Sequence, residues 1–359
     1  MNVDAKEVPT VIIDQLKRQF TGFPVPDGIF DPASAKPDLL RKYGLPPRPD
    51  PNCQPLLRKA WERGFGKPMT LQQFNLNVDR VQATVYSPHP REQEAVLPSA
   101  TRFETSSNWS GCYITSNNFK RLIQVWGLWK VPGNLKLPPP TFQGPQGVPY
   151  ICANWIGLDG QRLYLDSSLP QIGTSSTLQT NGMTVTESWA QWWARFDQNT
   201  VPAPLGLSVN PGDEVLCVLT VWDPQTVNLV MVNLSSPNQP NGMAVKGTAP
   251  TMTLPNNVQY VPSITGATAQ WIVERPRVVG STELNNFPDY GQTEFDSCIA
   301  VEGDEADIFA LFGGVSQELQ GTRRIRMIYD LFDPARTAFV SMPRKVNETT
   351  STVRYGGFT

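Results

Sequence analysis

The sequence predicts an all-β fold, a sandwich or a barrel, that follows a separate N-terminal extension. From about residue 107 onward, short apolar stretches alternate with clusters of Gly, Pro, Asn and Asp. This is the pattern of short strands joined by turns. Helical periodicity is nearly absent from the region, and no repeat of fixed length argues for a propeller or a solenoid.

The N-terminal extension, residues 1–105, is predicted to be proline-rich and to contain two short helices. Apolar residues recur at helical spacing over 11–20, and they recur every four positions over a second helix at 55–63. The prolines of 44–55 exclude a regular helix between them. The polar stretch 87–107 is interpreted as a connector.

The second domain, residues 106–359, is predicted to contain eleven strands. Their predicted bounds are 110–116, 121–131, 150–158, 162–166, 183–196, 214–222, 227–234, 267–275, 307–313, 323–330 and 337–342.

Two of these strands carry polar groups along one face, because successive side chains of a strand point to opposite sides of the sheet. On the fifth strand, Glu187, Trp189 and Gln191 share a face. On the eighth strand, Gln270 and Glu274 share the face opposite an apolar, core-like one. Such a polar and aromatic surface is either solvent-facing or the floor of a cleft.

The chain has a single histidine, His89, in the proline-flanked sequence SPHP, which is interpreted as an exposed linker. One histidine excludes metal sites built from several imidazoles, and it makes a serine–histidine or cysteine–histidine hydrolase improbable. If the protein is an enzyme, carboxylates are therefore expected to carry its proton chemistry.

The charge and the cysteines exclude further classes. Lys and Arg total 30 against 32 acidic residues, so no strong field favours nucleic acid or an anionic membrane. No apolar run reaches the length of a membrane-spanning helix, and MNVDAKEVPT lacks the pattern of a secretory signal, which leaves the compartment open. The odd count of five cysteines argues against a complete disulfide framework. Separately, we expect the chain to be a monomer.

Five motifs then follow one another in a specific order. They are SSNWSG (106–111), NWIGLDG (154–160), LPQIG (169–173), ESWAQWW (187–193) and AQWIVE (269–274). This series resembles the eqolisin family of glutamic peptidases. The resemblance implies an antiparallel β-sandwich of two bent, lectin-like sheets and an endopeptidase that acts on peptide or protein substrates without a metal or other cofactor.

The resemblance also implies the catalytic pair. By motif, the catalytic glutamine falls on Gln171 and the catalytic glutamate on Glu274. An ionised Glu274 would accept a proton from water as general base, and the amide of Gln171 would donate to the oxyanion. The family positions around the cleft, which we expect to bind substrate, are Trp109, Trp155, Asp159, Glu187, Trp189 and Gln191.

The chain departs from the family pattern at three acidic positions, which carry Ser175, Gln191 and Gln270 here, while Glu187 replaces an aspartate. Because neighbouring carboxylates raise a carboxyl pKa, their loss is expected to leave the pKa of Glu274 nearer its ordinary value. Activity would then extend further towards neutral pH. The same losses are also consistent with a member that binds peptides without cutting them.

Alternatives from other classes stay open at this point. The tryptophan-lined face could belong to a non-catalytic sandwich that binds carbohydrate or peptide, or to a glycoside hydrolase that pairs Glu274 with Glu187 or Asp159. In a purely structural interpretation, Gln171 is a turn residue and Glu274 is a solvated strand end.

The N-terminal extension also admits two interpretations. It is either a propeptide-like segment that covers the cleft and is removed, or a permanent part of the molecule packed on the sandwich through Leu57, Trp61 and Phe65.

Overall fold

The structure is a computed structural model in which most of the chain is described. The described residues are 9–82, 84–87, 103–116, 120–161, 168–195, 197, 200–254, 257–303, 315–329 and 339–356. His89 and the predicted strands 162–166 and 307–313 lie outside these ranges.

The α-helices of the described residues are α1 (Thr10–Gln19), α2 (Pro37–Lys42) and α3 (Pro55–Phe65). The first and third confirm the two helices expected from apolar spacing. The second was not predicted, because six residues are too few to show a helical period. Short 3₁₀ turns cover Val78–Arg80 and Pro140–Phe142.

The β-strands are β1 (Phe20–Gly22), β2 (Ile29–Phe30), β3 (Met69–Gln72), β4 (Thr84–Val85), β5 (Phe103–Ser106), β6 (Trp109–Thr115), β7 (Arg121–Lys130), β8 (Tyr150–Leu158), β9 (Ser168–Leu178), β10 (Thr184–Ala194), β11 (Ala203–Pro204), β12 (Glu214–Asp223), β13 (Thr226–Asn233), β14 (Asn241–Thr248), β15 (Met252–Leu254), β16 (Val258–Tyr260), β17 (Thr268–Glu274), β18 (Arg277–Val278), β19 (Gln292–Gly303), β20 (Val315–Gln317), β21 (Arg323–Ile328), β22 (Phe339–Lys345) and β23 (Ser351–Tyr355).

The strands form a predominantly antiparallel sandwich, as expected. One layer runs β14–β13–β12–β7–β19–β23, and the other runs β11–β10–β9–β8–β17–β6–β21. Strand β22 pairs with both β21 and β23 and so connects the layers. Hydrogen bonds also cross between them, from Trp271 Nε1 to the Trp126 carbonyl at 2.6 Å and from Trp129 Nε1 to Thr174 Oγ1 at 3.1 Å.

Nine of the predicted strands correspond to β6, β7, β8, β10, β12, β13, β17, β21 and β22. The other strands, among them the long strands β9, β14 and β19, were not predicted. The sequence of β9, SLPQIGTSSTL, has the Gly, Pro and Ser content of a loop, yet its first nine residues are buried. Small polar side chains are tolerated there because both neighbouring strands satisfy the backbone.

The N-terminal extension is built into the sandwich. Strand β1 pairs antiparallel with β14, and β3 pairs with β14 in parallel. Helix α3 lies close against β12, since a Cβ atom on Gly64 would stand 2.1 Å from Leu216 Cδ2. Arg63 bridges Glu214 at 2.6 Å and Asp296 at 2.5 Å. Leu57, Trp61 and Phe65 all belong to the main core, which agrees with the interpretation of the extension as packed on the sandwich. That the extension is permanent stays a prediction.

This packing predicts different costs for two adjacent substitutions in α3. Leu57 is 3% exposed and Leu56 is 37% exposed. Leu57→Ala is expected to lower the free energy of unfolding by about 2–5 kcal/mol, and the matched Leu56→Ala by less than about 1 kcal/mol. Urea denaturation of the intact chain measures both. Equal costs would contradict the assignment of α3 to the core of the sandwich.

Candidate active site

The candidate catalytic residues lie on one face of the second layer, on strands separated by β8. Gln171 of β9 is paired with Gly157 of β8, which is paired in turn with Gln270 of β17. Glu274 is four residues further along β17, so its side chain points to the same face as Gln270. The strand register thus brings Gln171 and Glu274 to a common surface.

This surface faces away from the first layer. On β17, the neighbours Trp271 and Val273 belong to the main core between the layers. The opposite face carries a separate apolar cluster that includes Trp109, Trp155 and Ile272. The predicted separation of Trp271 and Val273, on the core face of β17, from Gln270 and Glu274, on the other face, is confirmed.

Glu274 is fully buried and accepts several hydrogen bonds. Its Oε1 receives the backbone N–H of Ser87 at 3.0 Å and the Asn108 amide at 3.5 Å, and its Oε2 receives Trp155 Nε1 at 2.8 Å. The interpretation of Glu274 as a solvated strand end is therefore wrong.

Burial also determines the pKa of Glu274. Desolvation raises this pKa well above the ordinary value. Hydrogen bonds from Ser87, Trp155 and Trp109 and the positive charge of Arg277 lower it, but by less. The expectation that the pKa of Glu274 lies near its ordinary value is wrong for this structure. That expectation considered neighbouring charges and left out desolvation.

Gln171 is also fully buried, in the middle of β9 and not in a turn. Its side-chain amide donates to the backbone carbonyl of Tyr86 at 3.0 Å. Across the strand pair, Gln171 is directly opposite Gln191 of β10. The interpretation of Gln171 as a turn residue is wrong.

Residues 84–87, which we call the covering segment, lie across this surface. Strand β4 pairs antiparallel with β18, with Val85 opposite Arg277. An extended segment of the same chain is thus held at the site by strand addition, which is a general way of binding peptides.

The site holds each backbone polar group of the next two residues. The N–H of Tyr86 donates to Gln191 Oε1 at 3.1 Å, and its carbonyl accepts from Gln171. The N–H of Ser87 donates to Glu274, and its carbonyl accepts from Asn108 Nδ2 at 3.2 Å. Four side chains therefore bind one dipeptide through its backbone alone.

The Tyr86 side chain occupies an aromatic position on the same face. Its ring stacks on Trp189 with a centroid distance of 3.8 Å and an interplanar angle of 13°. Burial raises the pKa of Tyr86, which the neighbouring Ser175 hydroxyl partly opposes. Further along, Glu187 accepts a hydrogen bond from Gln82. All three of these residues on β10 thus contact the N-terminal extension: Glu187, Trp189 and Gln191.

Trp109 and Trp155 form an edge-to-face pair beside Glu274, with ring centroids 5.1 Å apart. Asp159 is placed differently. It has a positive φ of 63° and accepts hydrogen bonds from Thr265 N at 2.6 Å and from Ala267 N at 2.8 Å. These bonds fix the loop that precedes β17, and substrate binding by Asp159 remains a prediction.

The sequence-based prediction missed Asn108, Tyr86 and Ser87. Asn108 belongs to the motif SSNWSG and directly precedes Trp109, which is opposite Glu274 in the β6–β17 pair. Its position next to a motif tryptophan could have identified Asn108 as a candidate site residue from the sequence. The roles of Tyr86 and Ser87 depend on contacts with residues more than 80 positions away, which local patterns do not reveal.

Within the described part of the chain, no three His, Cys, Asp or Glu side chains come together in a way that could hold a metal ion. Among the described helices, none combines the length and the apolar character needed to cross a membrane.

Comparison with solved structures returns glutamic peptidases. Scytalido-glutamic peptidase with a peptide-based transition-state analogue gives a TM-score of 0.49 at 17% identity, over 69% of this chain and 98% of that one. SCP-B, an eqolisin in complex with the tripeptide Ala-Ile-His, gives 0.45 at 16% identity over 69% and 98%. Aspergilloglutamic peptidase from Aspergillus niger gives 0.39 at 17% identity over 57% and 99%.

Sequence comparison gives the family. A search of curated proteins returns no match. The model of the Peptidase A4 family matches residues 107–321, which is more than half of the chain. This range contains the five motifs almost entirely. The chain belongs to the Peptidase A4 family, the eqolisins, and is a peptidase.

Proposed function

We propose that the protein is a glutamic endopeptidase in which Glu274 is the general base and Gln171 stabilises the oxyanion. The observation that carries this proposal is that both side chains hold the same peptide unit. Gln171 donates to the carbonyl of Tyr86, and Glu274 accepts from the N–H of Ser87. These are the carbonyl and the amide N–H of a single peptide bond, the one between Tyr86 and Ser87.

The chemistry follows from this arrangement. An ionised Glu274 accepts a proton from water, and the water oxygen adds to the carbonyl carbon of the bound peptide. Negative charge then develops on the carbonyl oxygen, where the Gln171 amide is already placed as a donor. Glu274 returns the proton to the peptide nitrogen, and the C–N bond breaks.

An amide suits the oxyanion position because it does not titrate. Gln171 donates at any pH at which Glu274 is ionised, and it adds no charge that would change the pKa of Glu274. Trp109 and Trp155 surround the carboxylate with apolar surface and exclude bulk water, which strengthens each hydrogen bond of the site. No imidazole is needed at any step.

The covering segment indicates how a substrate binds. It is extended, pairs with β18 and places an aromatic ring on Trp189 immediately before the held peptide bond. We infer that substrates are unfolded or extended proteins and that an aromatic residue is favoured at that position. Gln191 and Asn108 would bind the flanking backbone groups without selecting a side chain.

The test is the pH dependence of cleavage of a denatured protein, measured as new amino termini between pH 2 and pH 8. Cleavage requires ionised Glu274, so the rate is expected to rise with pH through its raised pKa. Because a bound peptide desolvates the carboxyl, the midpoint for kcat is expected at higher pH than the midpoint for kcat/KM, and above about 4.3.

A polysaccharide incubated in parallel serves as the control for carbohydrate chemistry. Sugar release without peptide cleavage would contradict the proposal and favour the glycoside hydrolase. Peptide cleavage confined below about pH 3 would contradict the role of Glu274 as a base with a raised pKa.

A further inference from the structure

We propose that Asn108, held in one orientation by Ser106, positions the leaving residue of the substrate, which is the residue whose nitrogen leaves the cut bond. In the structure, Ser87 of the covering segment occupies the place of this leaving residue. The inference rests on the proposed function. It adds a role for Asn108 in proton delivery, and it makes Ser106 a positioning residue that acts through Asn108.

Asn108 and Glu274 hold Ser87 at both ends of its backbone. The N–H of Ser87 donates to Glu274 Oε1 at 3.0 Å, and its carbonyl accepts from Asn108 Nδ2 at 3.2 Å. The same Nδ2 lies 3.5 Å from Glu274 Oε1. The two side chains and the Ser87 backbone therefore form a closed ring of contacts, which fixes the leaving residue relative to the proposed base.

The Ser106 hydroxyl determines which way the Asn108 amide points. Its oxygen accepts the backbone N–H groups of Asn108 at 3.1 Å and Trp109 at 2.9 Å. A hydroxyl has two acceptor lone pairs and one proton. Both lone pairs are used, so the proton is donated to Asn108 Oδ1 at 3.0 Å. The side-chain oxygen of Asn108 thus faces Ser106, and its NH2 group faces Glu274 and Ser87.

The reversed orientation of this amide is unfavourable because the surroundings are buried. Ser106 and Asn108 are each 0% exposed. A reversed amide would turn its oxygen towards two acceptors, the Glu274 carboxylate and the Ser87 carbonyl, and buried polar groups without a partner are costly. The Asn108 carbonyl also accepts the backbone N–H of Arg275 at 2.7 Å. The donor is therefore anchored directly beside the strand end that carries the base.

The contact to Asn108 acts in the step in which the bond breaks. In the proposed mechanism, the leaving nitrogen loses its planar geometry and takes a proton from Glu274. Only Cα and the carbonyl carbon separate that nitrogen from the oxygen that Asn108 binds. Holding the oxygen therefore keeps the nitrogen within reach of Glu274, which is an orientation effect. An amide achieves this without adding a charge beside the base.

The test compares two peptides that differ in one atom. Both have an aromatic residue before the cut bond and an alanine after it. In one of them, the carbonyl oxygen of that alanine is replaced by sulfur, which is a weaker hydrogen-bond acceptor. The two peptides compete in one mixture, and mass spectrometry of the products gives the ratio of their kcat/KM values.

The proteins compared share one background. All carry Tyr86→Ala, which removes the ring that anchors the covering segment on Trp189. The ratio from competing substrates also does not depend on the fraction of enzyme that is folded or open. A side chain that only supports the fold would therefore leave the ratio unchanged.

The reference protein is expected to prefer the oxygen peptide by about 2- to 10-fold, the effect of one ordinary hydrogen bond. Asn108→Ala is expected to remove this preference, and Ser106→Ala, which frees the amide to turn, is expected to reduce it. The matched control is Ser110→Ala, which removes another fully buried hydroxyl of β6 and is expected to keep the reference ratio.

A further variant covers the case in which Asn108→Ala does not fold. Asn108→Asp keeps the size of the side chain and the acceptor for Ser106, but its ionised carboxyl has no donor. It is expected to lose the preference at neutral pH.

Other results overturn the inference in distinguishable ways. If the reference and the Asn108 variants cleave the peptides with the same ratio, the inference fails and the proposed function stands. An unchanged ratio in Ser106→Ala refutes the positioning role of Ser106. A ratio lost equally in Ser110→Ala also overturns the inference, since the effect would then belong to β6 as a whole. If the reference protein cleaves neither peptide, the proposed function fails as well.

Discussion

Glu274→Gln is expected to reduce peptide cleavage by about 10⁴-fold, the upper end of the range for general acid–base catalysis, because in the proposed mechanism one group carries both proton transfers. Glutamine keeps the size of the side chain and one acceptor oxygen, so it retains the hydrogen bonds of one carboxylate oxygen and loses those of the other. The variant cannot accept a proton from water. Rates are measured on a denatured protein at the pH optimum of the wild type.

Access to the site must be equal in the proteins compared. Both the reference and the variant therefore carry Tyr86→Ala, which removes the ring that anchors the covering segment on Trp189. The matched control is Glu302→Gln. Glu302 is a buried glutamate on β19, in the layer that does not carry Gln171 and Glu274, and it accepts a hydrogen bond from Gln317 of the adjacent β20. That control is expected to cleave at the reference rate.

Stability provides a second readout for Glu274→Gln. The pKa of Glu274 is raised in the folded chain, so its contribution to stability is fully present at low pH and is lost as pH rises through the folded pKa. A neutral glutamine does not show this loss. In the intact chain without Tyr86→Ala, the stability of Glu274→Gln relative to the wild type is therefore expected to increase as pH rises through the folded pKa of Glu274. Full activity of folded Glu274→Gln, compared in the Tyr86→Ala background, would refute the role of Glu274 as base.

The sequence predicted the two faces of β17 better than the contacts made by each face. Alternation along β17 correctly separated Gln270 and Glu274 from Trp271 and Val273, because strand periodicity is a local property. The motif series placed Gln171, which composition alone would have assigned to a turn. Strand β9 is a strand because β8 and β10 pair with it on both sides, and such pairing depends on residues far apart in sequence.

The covering segment shows the limit of prediction from local pattern. Thr84 and Val85 pair with β18 across more than 190 residues of sequence, and nothing around them indicates that partner. The incorrect expectation for the pKa of Glu274 has a similar cause. Counting the acidic residues in the motifs considered only neighbouring charges, whereas desolvation by burial is the largest effect.

This segment also changes the meaning of the lost acids. Ser175 lies beside the Tyr86 phenol and Gln191 accepts from the Tyr86 N–H. A hydroxyl and an amide perform these contacts without ionising, so binding of the segment is not weakened by their titration. The departures from the family pattern are therefore consistent with a peptidase whose binding surface works across a wide pH range, and they do not require a loss of catalysis.

Gln171→Ala is expected to lower kcat by about 10²–10³-fold, equivalent to about 2.7–4 kcal/mol of transition-state stabilisation, which is the cost of removing one oxyanion donor. The hydrogen bond to the substrate carbonyl strengthens as negative charge develops, so kcat and kcat/KM are expected to fall together with little change in KM. Steady-state kinetics on a denatured protein, with Tyr86→Ala in both proteins so that access to the site is equal, measure these constants. The control is Gln124→Ala, a buried glutamine on β7 that is bonded to Thr220 and Trp126, which is expected to alter stability and leave kcat unchanged.

Gln171→Glu separates a donor from a merely structural side chain. A protonated carboxyl can donate to the carbonyl of the substrate, whereas an ionised one cannot and repels the oxyanion. Relative to Gln171→Ala, the activity of Gln171→Glu is therefore expected to rise as pH falls through the pKa of the new carboxyl, which the nearby Glu274 holds above its ordinary value. A ratio of the two activities that stays constant with pH would refute the assignment of Gln171 as the oxyanion donor.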